Sequence, residues 1–187
     1  MNTGTNEEFN LASYLIADLH RANQIINKST IKATGLKLWI GIFSPRFLPI
    51  LFYRLSFFFY QRNLGLFAKI FSLLNFFLFG IEIAVRCKIG KGLFLPHTQG
   101  TVIGAWEIGK NVTIFQGVTI GAREVDFTYT QSFRPTIGND VIIGSGAKVL
   151  GGIYLGTGCS IGANAVVLNN VGAGQFAAGV PAKIIKQ

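Results

Sequence analysis

Two side chains in the 187-residue sequence, His20 and His97, ordinarily titrate near neutral pH. An imidazole takes and returns a proton under physiological conditions, so each is a candidate general base. His20 lies within EEFNLASYLIADLHRANQIINK (residues 7–28) without a partner at motif spacing, and reads as an ordinary surface or half-buried histidine. His97 lies in Leu95-Pro-His-Thr-Gln-Gly100 and is the sole histidine after Gly80. Cys87 and Cys159 have no other cysteine or close histidine pair beside them, so both read as structural and no metal site is expected. The segment Ala122 to Arg134 (AREVDFTYTQSFR) sets the rings of Phe127, Tyr129 and Phe133 among Arg123, Asp126, Gln131 and Arg134. Flat apolar faces beside hydrogen-bonding groups suit a polar ring-shaped ligand, or a contact between subunits.

These residues need a scaffold, and composition bounds it. The chain is 50% hydrophobic and 13% charged, which allows a sizeable core and excludes a disordered tail or a disulfide-stapled miniprotein. Its net charge of +9 divides evenly, 8 basic against 3 acidic residues before Gly80 and 9 against 5 from there on, and points to an anionic ligand or surface. The basic residues are scattered and no base-reading motif accompanies them, so nucleic acid is not an expected partner. The opening MNTGTNEEFN lacks a basic and then apolar leader, so a reduced cytoplasmic protein is expected.

Residues 43 to 79 hold 11 of the 17 Phe, whereas 80 to 187 hold 19 of the 23 Gly. A boundary is therefore expected at Gly80, with an α-helical region over 1–79 and a second domain over 80–187. The apolar spacing of residues 7–28 predicts a helix, with Glu7 and Glu8 at its start and Lys28 at its end suiting the dipole. The stretch from Leu36 to Phe79 is apolar enough to raise the question of a membrane span, but Arg46, Arg54, Arg62 and Lys69 interrupt it every seven or eight residues. Two amphipathic helices are predicted instead, the first opened by Pro45 and Pro49 and the second following the Asn63-Leu-Gly65 break. Such helices serve either to pack on the next domain and on other subunits, or to lie on an anionic membrane face through residues 45–79.

From Gly80 on, a six-residue period appears. Ile137, Ile143, Val149, Leu155, Ile161 and Val167 follow one another without a break, with Ala147, Cys159 and Ala165 at the fifth place, and the period recurs at Ile83, Ile89 and Leu95 and at Val112 and Val118. Six fits neither an amphipathic helix nor a flat meander. It means one short strand and one corner per hexad, aliphatic residue inward, which is the pattern of a left-handed parallel β-helix with three hexads per coil. The fold class expected is mainly β, about four such coils preceded by the helical region, with loop 122–134 interrupting the repeat and a C-terminal tail beyond Ala173.

The segments GIEIAVRCKIGKGLFLPHTQGTVIG, NVTIFQGVTIGA, RPTIGNDVIIGSGAKVLGG and AAGVPAKII occur in order over about 100 residues. Together they resemble the serine acetyltransferase branch of the hexapeptide acyltransferases. The resemblance implies a homotrimer that moves acetyl from acetyl-CoA to an acceptor, at sites between neighbouring subunits. It places His97 as the catalytic base, and Glu82 where the family usually has an Asp that orients the imidazole; a rim carboxylate paired with Arg86 or Lys88 is the other reading of Glu82. By the same alignment the pantetheine arm meets Ala122, Gly144, Ser145, Gly162 and Ala163, and Lys183, with Lys186, meets the CoA phosphates.

Three positions depart from the serine-acetylating pattern. An acid before the catalytic histidine and an Arg-His pair before the proline are replaced here by Pro96, Phe133 and Arg134. Pro-His instead resembles the capsule and exopolysaccharide acetyltransferases. The leading expectation is therefore transfer to a sugar hydroxyl on a polysaccharide, a lipid-linked oligosaccharide or a nucleotide sugar, with Gln116, Phe127, Tyr129 and Arg134 at the acceptor. A serine acetyltransferase of cysteine biosynthesis and a non-catalytic β-helical scaffold are the alternatives. A lipid-linked acceptor would suit a cytoplasmic protein resting on the inner face of the membrane.

Overall fold

The computed structural model describes residues 9–27 and 44–185. Three helices come first: α1 (Leu11–Asn27), α2 (Leu48–Gln61) and α3 (Gly65–Phe79). Glu7, Glu8, Lys28, Lys186 and residues 36–43 of the apolar stretch lie outside the described residues. Pro49 sits in the first turn of α2, where its missing N–H costs nothing, and Gly80 closes α3 in the left-handed region at φ 59°. Ser56 donates to the Ala68 carbonyl at 2.8 Å and Asn75 to the Pro49 carbonyl at 2.9 Å, which fastens α2 to α3.

Strands β1 to β14 then wind into a parallel β-helix of the left-handed class. One face stacks β1 (Ile81–Ile83), β3 (Thr101–Ile103), β6 (Thr119–Gly121), β9 (Lys148–Leu150) and β12 (Val166–Val167). A second stacks β2 (Lys88–Ile89), β4 (Glu107–Ile108), β7 (Thr136–Ile137) and β10 (Tyr154–Leu155). The third stacks β5 (Thr113–Ile114), β8 (Ile142–Ile143), β11 (Ser160–Ile161) and β13 (Phe176–Ala178), and β14 (Lys183–Ile185) folds back antiparallel on β13.

The hexad residues are buried, as are Ala147, Cys159 and Ala165 at the corners. Val112 and Val118, expected as hexad starts, instead stack at the corner place on Val141 and Ala147, and Ile114 and Ile120 take the inward positions in register with Ile143 and Val149. Corners also hold a column of glycines: a Cβ on Gly90, Gly109 or Gly138 would sit 2.7 Å from the backbone of the coil below. The first face has five strands, one more than the four coils expected. The wall keeps register where the sequence period falters, because surplus and deficit are absorbed at corners. Ile83, Ile103, Ile120 and Val149 align on one face, and Ile89, Ile108 and Ile137 on the next. The step from Leu95 to Ile103 is thus eight residues instead of six, that from Ile103 to Ile108 five, and that from Ile120 to Ile137 holds the whole loop.

The helices share the core of the β-helix. Ile50, Tyr53 and Phe57 of α2 join the inward residues of the first coil in a single apolar cluster. An exposed first coil would leave its upward-facing backbone groups unpaired, which is costly away from water. Here Tyr53 donates to the Cys87 carbonyl at 2.6 Å, and Arg54 donates to the carbonyls of Ile89 at 2.6 Å and Gly90 at 2.7 Å. Asp18 of α1 accepts from the amides of Gly92 at 2.8 Å and Leu93 at 2.9 Å, and pairs with Arg54 at 2.9 Å. Both charged side chains are fully buried. Burial pushes the Asp18 carboxyl above its ordinary value, against the pull of Arg54 and the two amides. Arg54 is therefore not part of an exposed basic stripe with Arg46, Arg62 and Lys69; its charge is spent on closing the β-helix.

Candidate active site

The corner between the third and first faces carries most of the expected site. In the first coil this corner is Pro96 to Gly100, held by the Thr98 hydroxyl on the Phe79 carbonyl at 2.9 Å and by the Gly100 amide on Gly80 at 2.9 Å. Because the corner is two residues too long for the hexad, the chain bows outward, and His97 is exposed on it. Below it the backbone bonds run Gly117 to Gln99 at 3.0 Å, Gly146 to Gln116 at 2.9 Å and Asn164 to Ser145 at 2.8 Å. His97, Gln116, Gly144, Ser145, Gly162 and Ala163 are thus brought to one edge of the prism. At its foot Lys183 pairs in register with Ala178, whose Cβ lies 2.8 Å from where a Cβ on Gly162 would be.

The small residues of this edge keep its backbone open to a ligand lying along it. Gln116 is half-buried, and its Oε1 is shielded from solvent without a hydrogen-bond partner among the described residues. One level lower, Lys148 donates to the Gly117 carbonyl at 2.6 Å and to the Thr119 hydroxyl at 3.1 Å, which fixes the turn between them. Glu82 stands at the centre of β1, exposed on the first face next to this edge. Its expected alternative partner Arg86 instead reaches the Thr128 carbonyl at 3.4 Å, and Glu82 makes no ion pair among the described residues.

Ala122 and the loop after it leave from a different edge, between the first and second faces. Arg123 folds along that edge onto the carbonyls of Leu150 and Leu168. Asp126 organises the loop: it accepts from the Thr128 hydroxyl at 2.7 Å, from the Tyr129 amide at 3.0 Å and from Arg134 Nε at 2.7 Å. The Thr128 hydroxyl first, with Arg134 and two amides, holds the Asp126 carboxyl down to about 2 against its partial burial. Arg134 also donates to the Gly104 carbonyl at 2.8 Å and lies 3.9 Å over the Tyr129 ring, while Tyr129 donates to Ala105 at 2.7 Å. Two of the side chains expected to meet an acceptor, Tyr129 and Arg134, are therefore engaged inside the loop. Phe127 is exposed at its tip. Asp126, expected among the groups that would bond a ligand, is instead turned into the loop, a role that shows only once the Arg134 contact is known.

Both cysteines are buried and free; burial pushes the Cys87 thiol up to about 12 and the Cys159 thiol up to about 11. His20 is half-buried on α1.

Residues 134–169 match the family model described as bacterial transferase hexapeptide (six repeats). The chain is 44% identical over 142 residues to the serine acetyltransferase of Helicobacter pylori, a match covering 75% of this chain and 81% of that protein. Among solved structures it resembles the serine acetyltransferase of Neisseria gonorrhoeae, with a TM-score of 0.81 and 28% identity over 95% of this chain and 65% of that one. It also resembles a serine acetyltransferase in complex with CoA, with a TM-score of 0.78 and 29% identity over 94% and 69% of the two chains.

These matches overturn the expected sugar acceptor and the nearer kinship with capsule and exopolysaccharide enzymes. Pro96, Phe133 and Arg134 depart from the serine-acetylating pattern without moving the chain out of that family. Arg134 is instead neutralised by Asp126 and covers Tyr129, so neither its guanidinium nor the Tyr129 face is free to meet the sugar that was expected there. By its identity to the Helicobacter protein over four-fifths of that protein's length, the chain belongs to the serine acetyltransferase family of hexapeptide-repeat enzymes, the acetyl-CoA-dependent O-acetyltransferases.

Proposed function

We propose that this chain transfers acetyl from acetyl-CoA to the side-chain hydroxyl of serine, giving O-acetylserine and CoA. The observation that carries the proposal is the 44% identity to the Helicobacter enzyme over 142 residues, a stretch longer than the β-helical half of the chain. In this reading the serine hydroxyl attacks the thioester carbonyl carbon while His97 takes its proton, since an unactivated alcohol is a poor nucleophile at neutral pH. The tetrahedral oxyanion then collapses, the carbon–sulfur bond breaks, and the proton held by His97 passes to the departing thiolate. Glu82 orients the imidazole and favours its charged form.

The donor lies along the edge of Gly144, Ser145, Gly162 and Ala163, with its phosphates toward Lys183. The unpartnered Gln116 Oε1 accepts a hydrogen bond from an N–H of donor or serine, which a shielded carbonyl oxygen requires. Ala122 stands on another edge of the same protomer, so a complete site needs two chains side by side; a closed homotrimer supplies this at every edge. The test is thiol release from acetyl-CoA with mass detection of the product. Release that depends on serine, with O-acetylserine formed, supports the proposal; release with serine no faster than hydrolysis sinks it.

A further inference from the structure

An apolar surface runs along α3, whose last residues reach the corner that carries His97. Along α3, Leu66, Ile70, Leu73 and Phe77 follow at intervals of four, three and four, which aligns them on one face of a helix. They are exposed, Leu66 at 71% and Phe77 at 75%, and Phe67, Phe76 and Leu78 widen the stripe on both sides. The helix is held from behind by Ala68 and Asn75, so this face is what its packing on α2 leaves over. An exposed apolar stripe of this extent marks an interaction surface.

Charge identifies the partner. Between Asp18 and Glu82 the sequence has no acidic residue and eight basic ones. Lys69 is exposed beside the stripe, and Arg62, at the start of the α2–α3 turn, is exposed with its guanidinium 3.6 Å over Phe58. A second copy docked helix to helix here would bring like charges together, with no acid between Asp18 and Glu82 to answer them. The stripe mixes aliphatic side chains with the rings of Phe67, Phe76 and Phe77, and a lipid interface takes any apolar face flanked by cations. We propose that α3 seats the protein on an anionic membrane surface, its apolar face in the headgroup–acyl boundary and Arg62 and Lys69 on acidic headgroups. No helix among the described residues is long and apolar enough to cross a membrane, so the association is peripheral.

The test uses the full chain and flotation with vesicles of phosphatidylcholine, with and without phosphatidylglycerol. A basic side chain near an anionic surface contributes about fivefold to partitioning, so Arg62 and Lys69 together predict roughly 25-fold preference for the anionic vesicles, fading with added salt. Leu66→Glu with Ile70→Glu should abolish binding, with oligomer mass and acetyl transfer in solution unchanged. Absence of binding at low salt, equal binding to both vesicles, or binding that survives the double substitution each overturns the proposal. A fall in oligomer mass in the double variant also overturns it, by assigning the face to contacts between copies. Vesicle binding is read independently of acetyl transfer, so failure of the serine assay leaves this proposal standing.

Discussion

His97 owes its exposure to a corner with two residues more than the repeat allows; the sequence showed the histidine but left the period unplaced between Leu95 and Val112. If it is the base, His97→Ala should leave the fold intact and lower kcat about 100-fold to 10,000-fold, the usual worth of a positioned proton acceptor. Near-normal turnover by the purified variant would remove it from the mechanism. The Asp126–Arg134 contact was not legible, since it joins residues eight apart in an irregular loop and depends on Arg134 turning inward to Gly104. Its pH dependence follows from the depressed carboxyl. The ionised form is favoured in the folded loop, so its contribution is complete above the ordinary value of 3.8 and disappears as pH falls through about 2. Fluorescence of Trp106, whose ring lies 6.4 Å from Tyr129, should stay constant from pH 7 to about 4 and change below it, in a Trp39→Phe background. Asp126→Ala should show the altered signal already at pH 7.

At the scale of elements, the β-helix could be read because one side chain in six must be aliphatic to fill its interior, and that demand leaves a period. The helical cap left no such trace. Asp18 and Arg54 are 36 residues apart on different helices, and each looks like a surface charge on an amphipathic pattern. Only the first coil, with its unpaired carbonyls and amides, explains why both are buried. Removing one partner would strand the other charge out of water, so Asp18→Ala should destabilise the protein by about 3–5 kcal/mol in urea unfolding. A change under about 1 kcal/mol would mean that water enters and replaces the carboxylate.

For the whole molecule, the roles proposed for His97 and Ala122, which stand on two edges, would make assembly part of the chemistry. Mixing His97→Ala chains with Ala122→Trp chains under subunit exchange should restore activity, because about a quarter of sites in randomly assorted oligomers combine one intact contribution of each kind. Light scattering should report a trimer or a multiple of it, and a mixture no more active than its parents would place each site within one chain. The cap of Asp18, Tyr53 and Arg54 has a further meaning once the molecule is seen among its copies. A parallel β-helix with a bare end is a template, since its last coil can accept another as readily as it accepted the one before. Ending the stack with side chains instead of strands makes the coil number finite. A chain begun at Gly80 should accordingly associate through its bared first coil and show a higher particle mass by light scattering, while the full chain stays a discrete particle.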